Sequence, residues 1–259
     1  MSIKILTIPC LEDNFAYLVV CKETLQAAVV DPSESAPVLN ELERQKLKLT
    51  TILNTHHHWD HVGGNKDLKS KFPNLIIYGH ESDRGRIPEQ TEFLKMGDKV
   101  RFGEQCGTFL HNPGHTTGAI TYVFGEIAFT GDTLFAAGCG RIFEGNAYQM
   151  YDSINEKIGK LSEDTKIYFG HEYTQANLNF ALSVESGNEQ IQKKIVSVNK
   201  LRSLAKFTTP TTLAEERLTN PFMRCNSEEI LAYIKSQESN HNLEKREVFK
   251  TLRELKNNF

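Results

Sequence analysis

The stretch Thr55-His56-His57-His58-Trp59-Asp60-His61-Val62-Gly63-Gly64 dominates this sequence, because four histidines and one aspartate lie between positions 56 and 61. Side chains alternate along an extended chain, which predicts that His56, His58 and Asp60 share one face. His61 is expected where the glycine pair lets the chain turn. Two imidazoles and a carboxylate form a ligand set that suits zinc and neighbouring first-row metals. The stretch therefore predicts a metal site, which other parts of the chain must complete.

The composition is that of an ordinary globular protein. The chain has 259 residues, of which 39% are hydrophobic and 24% charged, and its formal net charge is -3. This length suits one large domain, or a main domain with a smaller one. The negative charge argues against a general nucleic-acid binder, which needs a basic excess. No apolar run reaches the length of a membrane span, and the start of the chain lacks a signal-peptide pattern.

The cysteines indicate a reducing compartment. They are odd in number, scattered, and contain no Cys-x-x-Cys pair: Cys10, Cys21, Cys106, Cys139 and Cys225. This distribution fits free thiols better than a disulfide framework or a zinc–thiolate site. Together with the missing membrane and export signals, it predicts a cytoplasmic protein.

Outward from the histidine cluster, the first half of the chain consists of short β-rich segments that end in turns. Single metal-ligating residues follow three of these segments, namely His115, Asp132 and His171. Sites in α/β proteins gather beyond the ends of strands, so these loops are candidates to complete the metal site. Helices are predicted at residues 35–47, 65–72 and about 147–161. Beyond Tyr173 helical patterns fill residues 175–184, 189–205, 227–235 and 243–255, which predicts a helical cover.

The order His-x-His-x-Asp-His, then separated His, Asp and His, resembles the metallo-β-lactamase superfamily. The resemblance implies an α/β fold, a four-layer αββα sandwich with a C-terminal helical domain. It also implies two divalent metal ions, most simply zinc, although iron and manganese suit the same ligands. The implied ligands are His56, His58 and His115 for one ion, Asp60, His61 and His171 for the other, and Asp132 with a hydroxide as bridges. Asp60 and Asp132 are thereby the implied catalytic carboxylates.

Several segments narrow the resemblance to the glyoxalase II (hydroxyacylglutathione hydrolase) family. These segments are Gly138–Gly145, Gly170–Thr174, Thr212–Glu216, Asn220–Arg224 and Leu252–Lys256. The resemblance implies a catalytic domain at 1–173 and an α-helical substrate-binding domain at 174–259, in a monomer. It implies hydrolysis of S-(2-hydroxyacyl)glutathione, such as S-D-lactoylglutathione, to glutathione and D-lactate, the second step of methylglyoxal detoxification. The implied substrate contacts are Arg141, Phe143, Tyr173, Arg253 and Lys256.

The residues themselves support a glutathione site. Glutathione carries two carboxylates, and Arg253 and Lys256 lie three positions apart on one helix face, where they could bind one of them. The alternative is that both are solvated surface charges. Two positions depart from the family pattern, because Arg141 replaces a lysine and Phe143 replaces a tyrosine, which alters the geometry and removes a hydroxyl contact.

Other residues and functions remain open at this level. His57 is predicted to point away from the ligand face and to support the ligands, and Asp31 either orients a ligand imidazole or only forms a turn. His80, His111 and His241 are treated as surface or core histidines. Redox di-iron members carry glutamate where this chain has His58, which favours hydrolysis. The alternatives are a mononuclear-iron glutathione persulfide dioxygenase, a metal-dependent nuclease and a zinc-binding module without catalytic activity.

Overall fold

The computed structural model describes residues 3–237 and 243–259 and divides the chain into two compact units. Unit 1 comprises Met1–His111 and Thr117–Gly131, and unit 2 comprises Asn112–Thr116 and Asp132–Phe259. The predicted domain boundary at residue 173 stays a prediction. His241 lies outside the described residues. In the described part of the chain, no helix combines the length and the apolar character that crossing a membrane requires.

A six-stranded mixed sheet forms one layer of unit 1. Its strands, in spatial order, are β1 (Ile3–Cys10), β2 (Asn14–Cys21), β3 (Gln26–Val30), β4 (Lys48–Leu53), β5 (Ile76–His80) and β6 (Glu92–Leu94). The first three are antiparallel neighbours, whereas β3 to β6 run parallel. Strand β2 is buried at every position, and its sequence from Phe15 onward is apolar, as a strand buried on both faces requires.

Two helices cover one face of this sheet. Helix α1 (Ser35–Gln45) buries Val38 and Leu42, which lie one turn apart, and ends at Lys46 in the left-handed conformation. Helix α3 (Asn65–Lys71) buries Leu68 in the same hydrophobic cluster.

The second strand group of unit 1 packs against the sheet. It consists of β7 (Val100–Phe102), β8 (Gln105–His111), β9 (Ile120–Val123) and β10 (Ile127–Gly131), each antiparallel to the next. The ring of Tyr17 lies 5.5 Å from that of Phe129, and the Tyr122 hydroxyl donates to the Asn54 carbonyl oxygen at 3.0 Å. The second contact ties the β9 strand to the residue that follows β4.

The ligand stretch differs from the predicted extended segment. Strand β4 ends at Leu53, the chain bends at Thr55 and His56, and Trp59–Val62 then form the short helix α2. Asn54 closes the loop by donating from Nδ2 to the His61 carbonyl oxygen at 3.1 Å. The period-two prediction was wrong for Asp60, because a helical turn replaces the alternation of a strand.

The glycine pair also acts differently from the prediction. Gly63 is in the ordinary right-handed helical conformation, so no turn that only glycine permits occurs there. A Cβ at Gly63 would lie 2.4 Å from the Ser33 carbonyl oxygen, and one at Gly64 would lie 2.8 Å from that of Pro32. The glycines are therefore needed because two backbone segments approach closely.

Unit 2 is mainly helical. Its strands are β11 (Leu134–Phe135), β12 (Gly138–Cys139), β13 (Lys166–Phe169) and β14 (Thr211–Thr212), and its helices are α4 (Ala147–Tyr151), α5 (Thr174–Val184), α6 (Glu189–Ser203), α7 (Leu213–Thr219), α8 (Glu228–Gln237) and α9 (Lys245–Asn257). The prediction of one regular helix at 147–161 was wrong beyond Tyr151, since a π-helical segment (Asp152–Lys157) and a 3-10 turn (Ile158–Lys160) follow α4.

Candidate metal centre

Unit 1 presents its proposed ligands as two pairs. His56 Nε2 lies 3.1 Å from His58 Nδ1. His61 Nε2 lies 3.7 Å from Asp60 Oδ2. Each pair therefore brings two donor atoms close enough to share one cation.

Asp31 fixes which nitrogen of two histidines faces the site. It lies in the left-handed conformation at the end of β3, and its Oδ2 is 2.9 Å from His61 Nδ1. The Thr55 hydroxyl donates its single proton to Asp31 Oδ2 at 2.6 Å, so it must accept from His56 Nδ1, 3.0 Å away. Both imidazoles then carry their proton on Nδ1 and present the Nε2 lone pair. These contacts agree with an orienting role for Asp31.

Asn14 is a site residue that sequence reasoning missed. Its side-chain Nδ2 donates to the backbone oxygen of Asp60 at 3.0 Å and to Asp60 Oδ2 at 3.1 Å. Asn14 begins β2 and is buried. The sequence Glu12-Asp13-Asn14 indicates only a turn, and nothing local links it to a residue so far along the chain.

The remaining histidines of unit 1 have partners outside the ligand pairs. His57 Nδ1 lies 3.1 Å from Oδ1 of the fully buried Asp83, so His57 is not oriented like its neighbours. The rings of His80 and His111 are stacked, with centroids 4.0 Å apart, and His111 Nε2 donates to the Thr117 carbonyl oxygen at 2.8 Å. The expectation of separate surface or core histidines missed this pairing.

Unit 2 presents three proposed ligands around one carboxylate oxygen. Asp132 Oδ2 lies 3.5 Å from His115 Nε2 and 3.3 Å from His171 Nε2. His115 Nδ1 donates to the Arg141 carbonyl oxygen at 2.7 Å, and a carbonyl can only accept. The Nε2 of His115 therefore faces Asp132 as a lone pair. Asp132 thus brings one carboxylate oxygen close to the Nε2 atoms of two imidazoles.

The loop between β12 and α4 packs tightly against these ligands. A Cβ at Gly140 would lie 1.9 Å from the Asp132 carbonyl oxygen, so only glycine fits there. The exposed ring of Phe143 contacts the His115 ring edge-on, with centroids 5.3 Å apart. The Tyr173 ring stacks on His171 at 4.8 Å and remains partly exposed. Two predicted substrate contacts thus lie directly beside predicted metal ligands.

Arg253 is not a solvated surface charge. Only 4% of it is exposed, and its NH1 donates to the carbonyl oxygens of Cys139 at 2.7 Å and Gly140 at 3.3 Å. It therefore holds the loop in place, and its role as a direct substrate contact stays a prediction. Burial, together with the nearby charge of Arg253, lowers the pKa of Lys256 from 10.5 to about 8. A desolvated ammonium of this kind favours a bound anion.

A second buried network holds the turn between β11 and β12, which precedes this loop. The Glu216 carboxylate is fully buried and accepts from the Ala137 backbone nitrogen at 2.7 Å, from Lys194 Nζ at 2.8 Å and from Asn220 Nδ2 at 2.9 Å. Asn220 also donates to the Gly138 carbonyl oxygen at 3.0 Å. Glu216 and Asn220, which lie in two of the segments that carry the family resemblance, thus support this part of the chain.

The donor atoms that each unit presents are of the kinds that bind metal ions in proteins. Nitrogen and carboxylate oxygen donors suit zinc, iron and manganese alike. The Nδ1 protons of three histidines are held by acceptors within the protein: His56, His61 and His115. Such contacts orient ligand imidazoles and raise their basicity.

Two family descriptions match the sequence. Residues 12–171 match the metallo-β-lactamase superfamily, and residues 172–259 match the hydroxyacylglutathione hydrolase C-terminus. Together they account for most of the chain.

Individual relatives and one solved structure agree with this result. The hydroxyacylglutathione hydrolase of Gloeothece citriformis is 46% identical over 99% of this chain and 100% of its own length. That of Thermosynechococcus vestitus is 50% identical over 83% of this chain and 86% of its own length. The crystal structure of the BLEG-1 B3 metallo-β-lactamase covers 85% of this chain and 100% of its own, with a TM-score of 0.65 at 22% identity. This likeness confirms the predicted metallo-β-lactamase fold.

Proposed function

Because this chain belongs to the hydroxyacylglutathione hydrolase family of the metallo-β-lactamase superfamily, we propose that it hydrolyses the thioester bond of S-(2-hydroxyacyl)glutathione. S-D-Lactoylglutathione is the proposed substrate, and glutathione and D-lactate are the products. A cytoplasmic location and a monomeric state complete the proposal.

We assign the donor pairs described above to two cations. The proposed ligands are His56, His58 and His115 for the first ion, and Asp60, His61 and His171 for the second, with Asp132 shared by both. Zinc is the proposed metal, and iron and manganese are the alternatives that the same donors accept. When bound, two divalent ions supply a hydroxide nucleophile near neutral pH and polarise the carbonyl that it attacks.

The protein itself binds and orients the substrate. Lys256 and Arg141 are the cations proposed to bind the glutathione carboxylates, and Arg253 keeps the loop that carries Arg141 in position. Tyr173 and Phe143 offer partly exposed rings next to the ligands, against which the peptide can pack. Because Phe143 lacks a hydroxyl, recognition at that edge relies on apolar contact and backbone groups.

The leaving group explains why no further acid is required. A thiol has an ordinary pKa of about 8.5, so a thiolate can leave without prior protonation. The site therefore needs a nucleophile and a polarised carbonyl, and the metal ions that the proposed donors would hold would supply both.

One observation carries this proposal: the Asp132 Oδ2 atom lies close to the Nε2 atoms of His115 and His171, in the same unit as the loop that carries Arg141. The test is release of free thiol from S-D-lactoylglutathione by zinc-loaded protein, with metal content measured on the same samples. Asp132→Ala is expected to lose metal and at least about 100-fold in turnover, since it removes a shared ligand. Asp164→Ala is the matched control, because Asp164 is exposed and lies in the turn before β13, outside the proposed ligand set.

Two results would contradict the proposal. One is the absence of thiol release from protein that holds its full complement of metal. The other is an Asp132→Ala variant with full turnover and full metal content. Oxygen consumption with glutathione persulfide, in place of thioester hydrolysis, would favour the dioxygenase alternative.

A further inference from the structure

Asn14 holds a proposed metal ligand from an unrelated part of the chain. It stands at the first position of β2, where it pairs with Cys10 across the β1–β2 hairpin. Its buried amide donates from one nitrogen to both the backbone oxygen and the Oδ2 of Asp60. One side chain thus fixes both the helical turn of α2 and the carboxylate that this turn carries.

The oxygen that Asn14 binds is also the one that faces the next ligand. Asp60 Oδ2 accepts from Asn14 at 3.1 Å and lies 3.7 Å from His61 Nε2. Asp31 meanwhile holds His61 through its other nitrogen. Asn14 and Asp31 therefore orient the two members of one donor pair from two different strands.

We propose that Asn14 is a positioning residue that acts through Asp60 and sets the affinity of the second metal position. This inference rests on the metal site of the proposed function. A carboxylate that turned freely would have to be ordered when the ion binds, whereas the amide orders it beforehand. The hairpin makes this possible, since its register of eight pairs ends with Cys10 and Asn14 and so fixes the place of the amide in the sheet.

The two acceptor oxygens of Asp60 explain why an amide suits position 14. An amide nitrogen offers two protons, and the carboxylate and the carbonyl of Asp60 each accept one. An aspartate here would place acceptor against acceptor, and an apolar residue would leave a partly buried carboxylate without its donor. Of the side chains close to this size, asparagine alone supplies two donors from one atom.

The first experiment measures zinc binding to metal-free protein by competition with a chromophoric chelator. Asn14→Ala is expected to weaken the second zinc equivalent by about 10- to 100-fold and to leave the first unchanged. Asn14→Leu keeps the number and branching of the side-chain heavy atoms without the donors and is expected to show the same loss, which covers the case in which the alanine variant is unstable. The matched control is Gln105→Leu, a buried amide of the same unit whose bonds go to Cys21 and Glu23.

The second experiment separates positioning from a general structural effect. If Asn14 acts through Asp60, adding Asn14→Ala to an Asp60→Ala variant should change the weaker zinc affinity by less than about 2-fold. An equal loss in both backgrounds, or no loss in the single variant, would overturn the inference. In the Asn14→Ala single variant, turnover at limiting zinc should fall while KM stays unchanged. Two zinc ions in a wild-type protein that releases no thiol would refute the proposed function and leave the role of Asn14 intact.

Discussion

The lowered pKa of Lys256 predicts how substrate affinity depends on pH. Burial is the largest cause of the lowering, and the positive charge of Arg253 is the next; Cys139 acts in the opposite direction, and Arg141 adds a smaller lowering. The pKa is about 8, against 10.5 for an ordinary lysine. The protein therefore loses this charge in a range where the thioester substrate can still be assayed.

The expected magnitude follows from the titration. With a pKa of about 8, the charged fraction of Lys256 falls from about nine-tenths at pH 7 to about one-tenth at pH 9. If only the charged form binds the glutathione carboxylate, KM for S-D-lactoylglutathione should rise about 10-fold over this range. The same shift adds stability as the pH rises from about 8 towards 10.5, because the unfolded chain keeps a proton that the folded chain has released.

The assay is steady-state thiol release at each pH, with KM extracted separately from kcat. Lys256→Arg is the control, since a guanidinium stays charged throughout this range, and its KM should be nearly constant. Lys256→Met should show a high KM already at pH 7 and no further rise. A wild-type KM that is constant from pH 7 to 9, or an equal rise in the arginine variant, would refute the reasoning.

Three further predictions concern the support of the site. Asp31→Ala removes the acceptor that holds His61, so zinc affinity should fall by about 10- to 100-fold in chelator competition. Glu216→Ala leaves Lys194, whose side chain is only 12% exposed, without its counter-charge. The free energy of unfolding in urea titrations should fall by about 3–5 kcal/mol, and a change below about 1 kcal/mol would contradict this. Gly140→Ala forces a Cβ against the Asp132 backbone and should lower both the melting temperature and turnover; wild-type values for both would contradict this.

The histidine cluster of the proposed ligand set could be recognised because its signal is local. His56, His58 and His61 stand so close together in the sequence that chance clustering is a poor explanation. The strands were also predictable, since runs of β-branched and aromatic residues between turns predict strands at 3–8, 15–21, 26–30, 49–53 and 75–78. The structure has β1 to β5 within two residues of these bounds. Short elements that lack such runs, such as β6 and β11, were missed.

What supports the ligands could not be predicted, because it depends on contacts between distant segments. The Asn14 amide meets Asp60 across 46 positions of sequence. The helical turn that begins at Trp59 is followed by the close approach of Gly63 to the Ser33 backbone, a tertiary contact without local signature. The hydrophobic periodicity of a sequence reports on one helix or strand at a time and does not show where distant segments approach each other.

Charge was the least predictable property of the candidate substrate site. The spacing of Arg253 and Lys256 correctly places them on one helix, α9, but it does not distinguish a solvated pair from a buried one. In the structure Arg253 is bonded to backbone carbonyls and Lys256 is partly desolvated. Burial of a long side chain is decided by what packs around it, which one helix sequence does not contain.

Zinc titration of metal-free protein tests the central claim most directly. Thiol release from S-D-lactoylglutathione would be measured after each addition, with bound zinc determined on the same samples. A two-metal thioester hydrolase should gain activity until about two equivalents are bound and then reach a plateau. Full turnover at one equivalent, or no thiol release at any zinc content, would contradict the account.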